Sequence, residues 1–106
     1  MKEITLQPVP QQRIETDIDG ISYVLQFRTF QGMTIADIYA DGDLIRGGIN
    51  CVPGEPLIPY PYLTRGGNFY FYCAENDYPY YKLFSSTQFL FYLTDAEMDE
   101  LDSRAI

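Results

Sequence analysis

Three dipeptides, Asp19-Gly20, Gln31-Gly32 and Asp41-Gly42, punctuate residues 18–51 and leave between them segments rich in β-branched and aromatic residues. Asp-Gly is favoured in a type I′ hairpin turn because both central residues need positive φ, and Gln-Gly is a weaker form of the same signal. The stretch therefore predicts a continuous antiparallel meander of about four strands. The segment after Gly20 alternates, with Ile21, Tyr23, Leu25 and Phe27 on one face and Ser22, Gln26 and Arg28 on the other. Val24 and Phe30 break the pattern, so the second face is expected to be partly covered.

The flanks continue the same grammar. Glu3 to Leu6 reads as a short first strand stopped by Pro8 and Pro10. Gln12 to Ile18 sets Ile14, Thr16 and Ile18 against Arg13, Glu15 and Asp17, a half-buried strand with a charged outer face of the kind that protects an edge. Met33 to Ala40 is the third meander strand, and its Asp37 must be either on the wet face or buried with a partner. Leu44 to Val52 is interrupted by Gly47-Gly48, which suggests a bulge; the pair lacks the Lys and the following helix of a phosphate loop. Asn68 to Ala74 alternates Phe69, Phe71 and Cys73 against Tyr70, Tyr72 and Ala74, and Phe89 to Leu93 is a last hydrophobic strand. Thr94 and Glu97 fit a capping box for a short helix through about Leu101, with Met98 and Leu101 resting lightly on the sheet. The expected fold is all-β, a small antiparallel barrel or sandwich of about seven or eight strands with a short C-terminal helix. At 106 residues the chain is expected to be one β domain, 1–106, with helix and tail at 94–106.

Residues 53–67, Pro-Gly-Glu-Pro-Leu-Ile-Pro-Tyr-Pro-Tyr-Leu-Thr-Arg-Gly-Gly, are the least regular portion. Four prolines argue against a central strand or a helix, yet Leu57, Ile58, Tyr60, Tyr62 and Leu63 are too apolar for a free loop. Two readings stay open: an extended loop laid over an open end of the core, or a contact arm whose prolines reduce the entropy lost on docking. Tyr78, Tyr80 and Tyr81 are expected beside this arm as further contact residues.

Composition narrows the chemistry. With 46% hydrophobic residues, including 10 Tyr and 7 Phe, a packed core is expected, and the tyrosines suggest contact surfaces as well. Net charge is −8, which disfavours binding to a phosphate backbone and otherwise aids solubility. The chain has no histidine, so the commonest general base and metal ligand are missing, and no Ser-His or Cys-His nucleophile can form. Two distant cysteines, Cys51 and Cys73, make no zinc site and are expected as buried free thiols. Asp17 and Asp19, or Asp41 and Asp43, sit where hairpin turns need Asp, and calcium-loop spacing is missing. No catalytic residue, metal or cofactor is assigned, although a glycosidase built on carboxylates stays formally open. The first residues have no long apolar core and no stretch approaches a membrane span, so neither signal peptide nor membrane anchor is expected.

A series of short motifs runs through the chain: Glu3-Ile4-x-Leu6 with Pro10-x-Gln12, Gly20-x-x-Tyr23, and Leu25-x-x-Arg28-Thr29 with Gly32. It continues through Asp37-Ile38 with Asp41-Gly42, Gly48-x-x-Cys51-Val52 with Pro56-Leu57-Ile58, Gly67-Asn68-Phe69, and Tyr80-Tyr81 leading to Leu90-x-Tyr92-Leu93. In this order the motifs resemble the baseplate plug proteins of contractile-tailed bacteriophages and prophages. Ser85-Ser86 departs from this likeness where a Gly is expected, and Tyr60-Pro61-Tyr62 is richer in aromatics. The resemblance implies a structural virion protein, not an enzyme, that helps close the central baseplate channel near the hub and tail-tube end. It implies baseplate hub and tail-tube proteins as partners, a homo-oligomer in the assembled particle, and no specific nucleic acid or membrane. The protein would be made in the bacterial host cytoplasm and reside in the virion tail. Two other classes remain open: an acidic DNA-mimic inhibitor, disfavoured by the lack of a long acidic row, and a carbohydrate-binding β-sandwich with tyrosine platforms.

Overall fold

A computed structural model describes residues 1–75 and 77–104. Among the described residues seven strands form: β1 Lys2–Ile4, β2 Gln12–Ile18, β3 Ile21–Phe30, β4 Met33–Ala40, β5 Asp43–Asn50, β6 Gly67–Cys73 and β7 Gln88–Thr94, followed by helix α1 Asp95–Arg104. They make a four-stranded antiparallel sheet in the order β2-β3-β4-β5 and a three-stranded one in the order β1-β7-β6, and the two do not close into a barrel.

The meander is set by its turns. Asp19 and Gly20 have φ of 52° and 80°, Gln31 and Gly32 51° and 77°, and Asp41 and Gly42 49° and 86°. All six are left-handed, the geometry that matches strand twist and that Gly adopts without steric penalty. The register slips between β4 and β5 around Ile38, opposite Gly47-Gly48, where the bulge was expected. Asp37 organises that bulge: its Oδ1 accepts the Gly48 N–H at 2.7 Å, and its Oδ2 accepts Arg28 Nη1 at 2.6 Å. The carboxylate that the apolar flanks made conspicuous is thus half-buried, with a cation and a backbone donor as partners.

Inward-facing residues of both sheets form one buried cluster. Tyr23 of β3 meets Phe69 of β6 edge-to-face at 5.3 Å, and Phe27 of β3 meets Phe71 of β6 at 5.9 Å. Such pairs add about 0.5–1.5 kcal/mol beyond the area they bury. Both cysteines lie in this core as free thiols. Gly67 opens β6 because a Cβ there would overlap the Tyr92 hydroxyl and come within 2.6 Å of the Leu93 carbonyl oxygen.

Some boundaries differ from expectation. β1 ends at Ile4 rather than Leu6, because the Leu6 carbonyl is taken by the Ser85 hydroxyl at 2.7 Å instead of by a ladder partner. Ser85 itself has φ of 62°, the left-handed conformation for which a Gly was expected. The capping box forms: the Thr94 N–H donates to Glu97 Oε1 at 3.0 Å, and the Glu97 N–H donates to Thr94 Oγ1 at 3.2 Å. α1 then continues to Arg104 rather than ending near Leu101, since its residues hold no Gly or Pro to stop it. The side chain of Leu101, expected against the sheet, and residues 105–106 of the expected tail lie outside the described residues. Among the described residues no helix is long and apolar enough to cross a membrane.

Candidate functional site

The Pro-Tyr arm has a buried root and an exposed tip. Its root runs alongside the outer edge of β6, where the Gly54 N–H donates to the Phe71 carbonyl at 3.0 Å and the Leu57 N–H to the Phe69 carbonyl at 2.9 Å. The edge of β6 is thereby covered, which removes an open template for pairing. Asn68 clamps the next residue: its Oδ1 accepts the Ile58 N–H at 2.9 Å, and its Nδ2 donates to the Ile58 carbonyl at 2.8 Å. Leu57 and Ile58 are each only 2% exposed, so both belong to the chain's own core and are out of a partner's reach in this fold.

Beyond Ile58 the prolines turn the chain outward. Pro61–Leu63 forms a single 3-10 turn, a short helical element where none was expected; Pro fits its first position, which needs no amide donor. Tyr60 and Tyr62 stack at 5.7 Å on this turn and are 43% and 81% exposed. Arg46 of β5 sits 5.5 Å from the centre of the Tyr60 ring, tying the tip to the meander by a cation–π contact. Leu63 is half-buried and packs back on the core.

Tyr78, Tyr80 and Tyr81 are not beside the arm. Gly67 pairs with Thr94 and Cys73 with Gln88, so the arm lies at one end of the three-stranded sheet and the 77–81 segment at the other, roughly 20 Å away along a strand of this length. Spacing in sequence carried no information about this separation, because β6 itself runs from one group to the other. The far segment has its own clamp in Gln88, whose side chain is fully buried. Gln88 Oε1 accepts the Tyr80 N–H at 2.7 Å, and Nε2 donates to the Tyr78 carbonyl at 2.9 Å and to Asp77 Oδ1 at 3.1 Å. Tyr78 projects with 60% exposure, while Tyr80 and Tyr81 are half-buried against each other at 4.8 Å. Asn68 and Gln88 were missed in the sequence; their signal is an amide in an otherwise apolar aromatic strand.

The third surface is the outer face of the three-stranded sheet. The register pairs Tyr70 with Phe91 and Tyr72 with Phe89 on the side away from the meander, and Phe89 and Phe91 lie 6.5 Å apart. Tyr70, Tyr72 and Phe91 floor an open groove of about 600 Å³, walled by Pro53 and Met98. A second groove of about 280 Å³ shares Tyr70 and Met98 and is lined on its far side by Asp95 and Asp99. The tyrosines of β6 were expected on an outer face; that Phe89 and Phe91 share it was hidden, since an apolar run carries no alternation to reveal which side is out. The opposite outer face, on the meander, carries Arg13, Glu15, Asp17 and Arg28.

The chemistry of these surfaces is that of contact. Burial pushes the Cys51 thiol up to about 12, and burial, reinforced by the Asp77 carboxylate, pushes Cys73 up to about 11, so both stay protonated and weakly nucleophilic at neutral pH. Among the described residues no three Cys, Asp or Glu side chains converge as a metal-ligand set. A family model described as the cyanophage baseplate Pam3 plug gp18 matches residues 1–96, which run from β1 into the first turn of α1. No curated protein matches the chain.

Proposed function

The chain belongs to the phage baseplate plug family, and on that premise we propose that it is a structural protein of the virion tail, held among other baseplate and tail proteins, that closes or lines the central channel near the hub and tail-tube end. The observation that carries this reading is the extent of the match, residues 1–96, which takes in both sheets, the arm and both amide clamps. The net charge of −8 suits the placement, because a negative wall does not adsorb DNA phosphates passing through the channel. The absence of histidine from the sequence fits a role in contact rather than in catalysis.

The contact residues proposed for the arm are Tyr60 and Tyr62, with half-buried Leu63 beneath them; Tyr78, flanked by Tyr80 and Tyr81, forms a separate contact at the other end of the sheet. In the particle these meet the hub, the tube or another copy of the chain. Rigid exposed tyrosines are typical anchors, and truncating one that becomes fully buried in an interface commonly costs about 2 kcal/mol or more. The test is to compare Tyr60→Ala and Tyr62→Ala for thermal unfolding of the isolated protein and for incorporation into tail particles. Lost incorporation with an unchanged melting temperature is the expected result. A melting temperature several degrees lower, in step with the lost incorporation, would make the tip part of the core and overturn its assignment as a contact.

A further inference from the structure

We propose that the outer face of the three-stranded sheet receives an apolar segment bearing basic residues from a different protein. The side chains that line the groove floored by Tyr70, Tyr72 and Phe91 are uncharged, the Met1 ammonium at its rim is paired with Glu97, and Tyr72 is 57% exposed on it. Its neighbour across Tyr70 and Met98 presents Asp95 and Asp99. An occupant that places an aliphatic or aromatic side chain on the first groove therefore brings its next residues against carboxylates. Glu3 extends the same charge along the other edge, standing opposite Phe91 on the outer face. Of the cations at this edge, the Met1 ammonium is taken by Glu97, and Lys2 turns away and donates from Nζ to Thr16 Oγ1 at 3.4 Å.

The charge pattern also selects among occupants. A second copy of this chain brings its own excess of acidic residues, 15 against 7 basic, to a rim that is already negative, and like charges across an interface are unfavourable. A lysine- or arginine-bearing apolar segment matches both halves of the surface. Met98 forms the shared wall, and an unbranched thioether adapts to side chains of different shape. The shape and charge of this face are the same whatever particle the chain resides in.

The probe is a fluorescein-labelled dodecapeptide alternating leucine and lysine, with leucine–glutamate and serine–lysine peptides of the same length as controls, measured by anisotropy against the full chain. The leucine–lysine peptide is expected to bind, more weakly as salt rises because part of the attraction is between exposed charges. Binding should fall at least tenfold in Phe91→Ser and in Tyr72→Ser, and also in the Asp95→Asn, Asp99→Asn double variant. Phe30→Ser, which alters a 64% exposed aromatic on the meander, should bind as the unaltered chain does. Tyr72→Ser keeps the test usable if Phe91→Ser does not fold. No binding, equal binding of serine–lysine, or binding insensitive to Tyr72→Ser would overturn the proposal. So would a concentration-dependent dimer of the unaltered chain that Tyr72→Ser dissolves, because the occupant would then be a second copy.

Discussion

Cys51 is 1% exposed in the core, and the burial of its thiol gives it a pH signature. Its value in the fold is about 12 against an ordinary 9.0, so the folded state holds the proton where the unfolded chain releases it. The stabilisation this represents is present below pH 9.0 and is lost as pH rises toward about 12. Over that window one fully shifted thiol removes about 1.4 kcal/mol per pH unit. Cys51→Ala is therefore expected to lose stability to urea less steeply between about pH 9 and about pH 11 than the unaltered chain, whatever its starting stability. Parallel slopes for the two proteins would contradict the burial of this thiol. At this scale the sequence was informative where a residue type has one strong habit. A cysteine within an apolar strand is buried as a small hydrophobe, and Asp before Gly takes the left-handed turn. It was silent on Asn68 and Gln88, since an amide's role depends on which loop comes back to meet it.

The elements divide along the same line. Each hairpin is joined through adjacent residues, so β2 to β5 were legible from turn chemistry and alternation, bulge included. The Thr94/Glu97 box was legible because its two hydrogen bonds are local. The arm was only half legible. Its composition shows that it cannot be wet throughout, but the division between a buried Leu57-Ile58 and an exposed Tyr60-Tyr62 is made by Asn68, ten residues away from the Ile58 it clamps. Replacing that amide tests the division. Asn68→Ala leaves the buried N–H and C=O of Ile58 without the partner they now share, a loss of about 1–3 kcal/mol for each group left unpaired. The variant is expected to melt several degrees lower, and the Ile58 amide to exchange with solvent faster than those of β3. Unchanged exchange at Ile58 would mean that the arm is held by its prolines rather than by the clamp.

Across the whole molecule, the pairings invisible in the sequence are the long-range ones. The N-terminal β1 adds to β7, with Ile4 opposite Leu90, and β7 joins it to β6. Alternation indicates how many strands have a buried side but not which sheet they enter, which is why barrel and sandwich looked alike until the two sheets were seen to remain separate. Their assembly leaves one charged outer face and one aromatic outer face, with exposed tyrosines at both ends of the second. These unequal sides suit the proposed role, in which aromatic contacts hold the chain among its partners and a charged surface faces the channel. The most direct measurement is cryo-electron microscopy of intact baseplates from the phage that encodes the chain, with mass spectrometry of the same particles. The expected result is the two-sheet domain on the channel axis, with the Tyr60 and Tyr62 rings covered by neighbouring subunits. Absence of the chain from purified particles, or its density outside the central channel with those rings in solvent, would contradict the account.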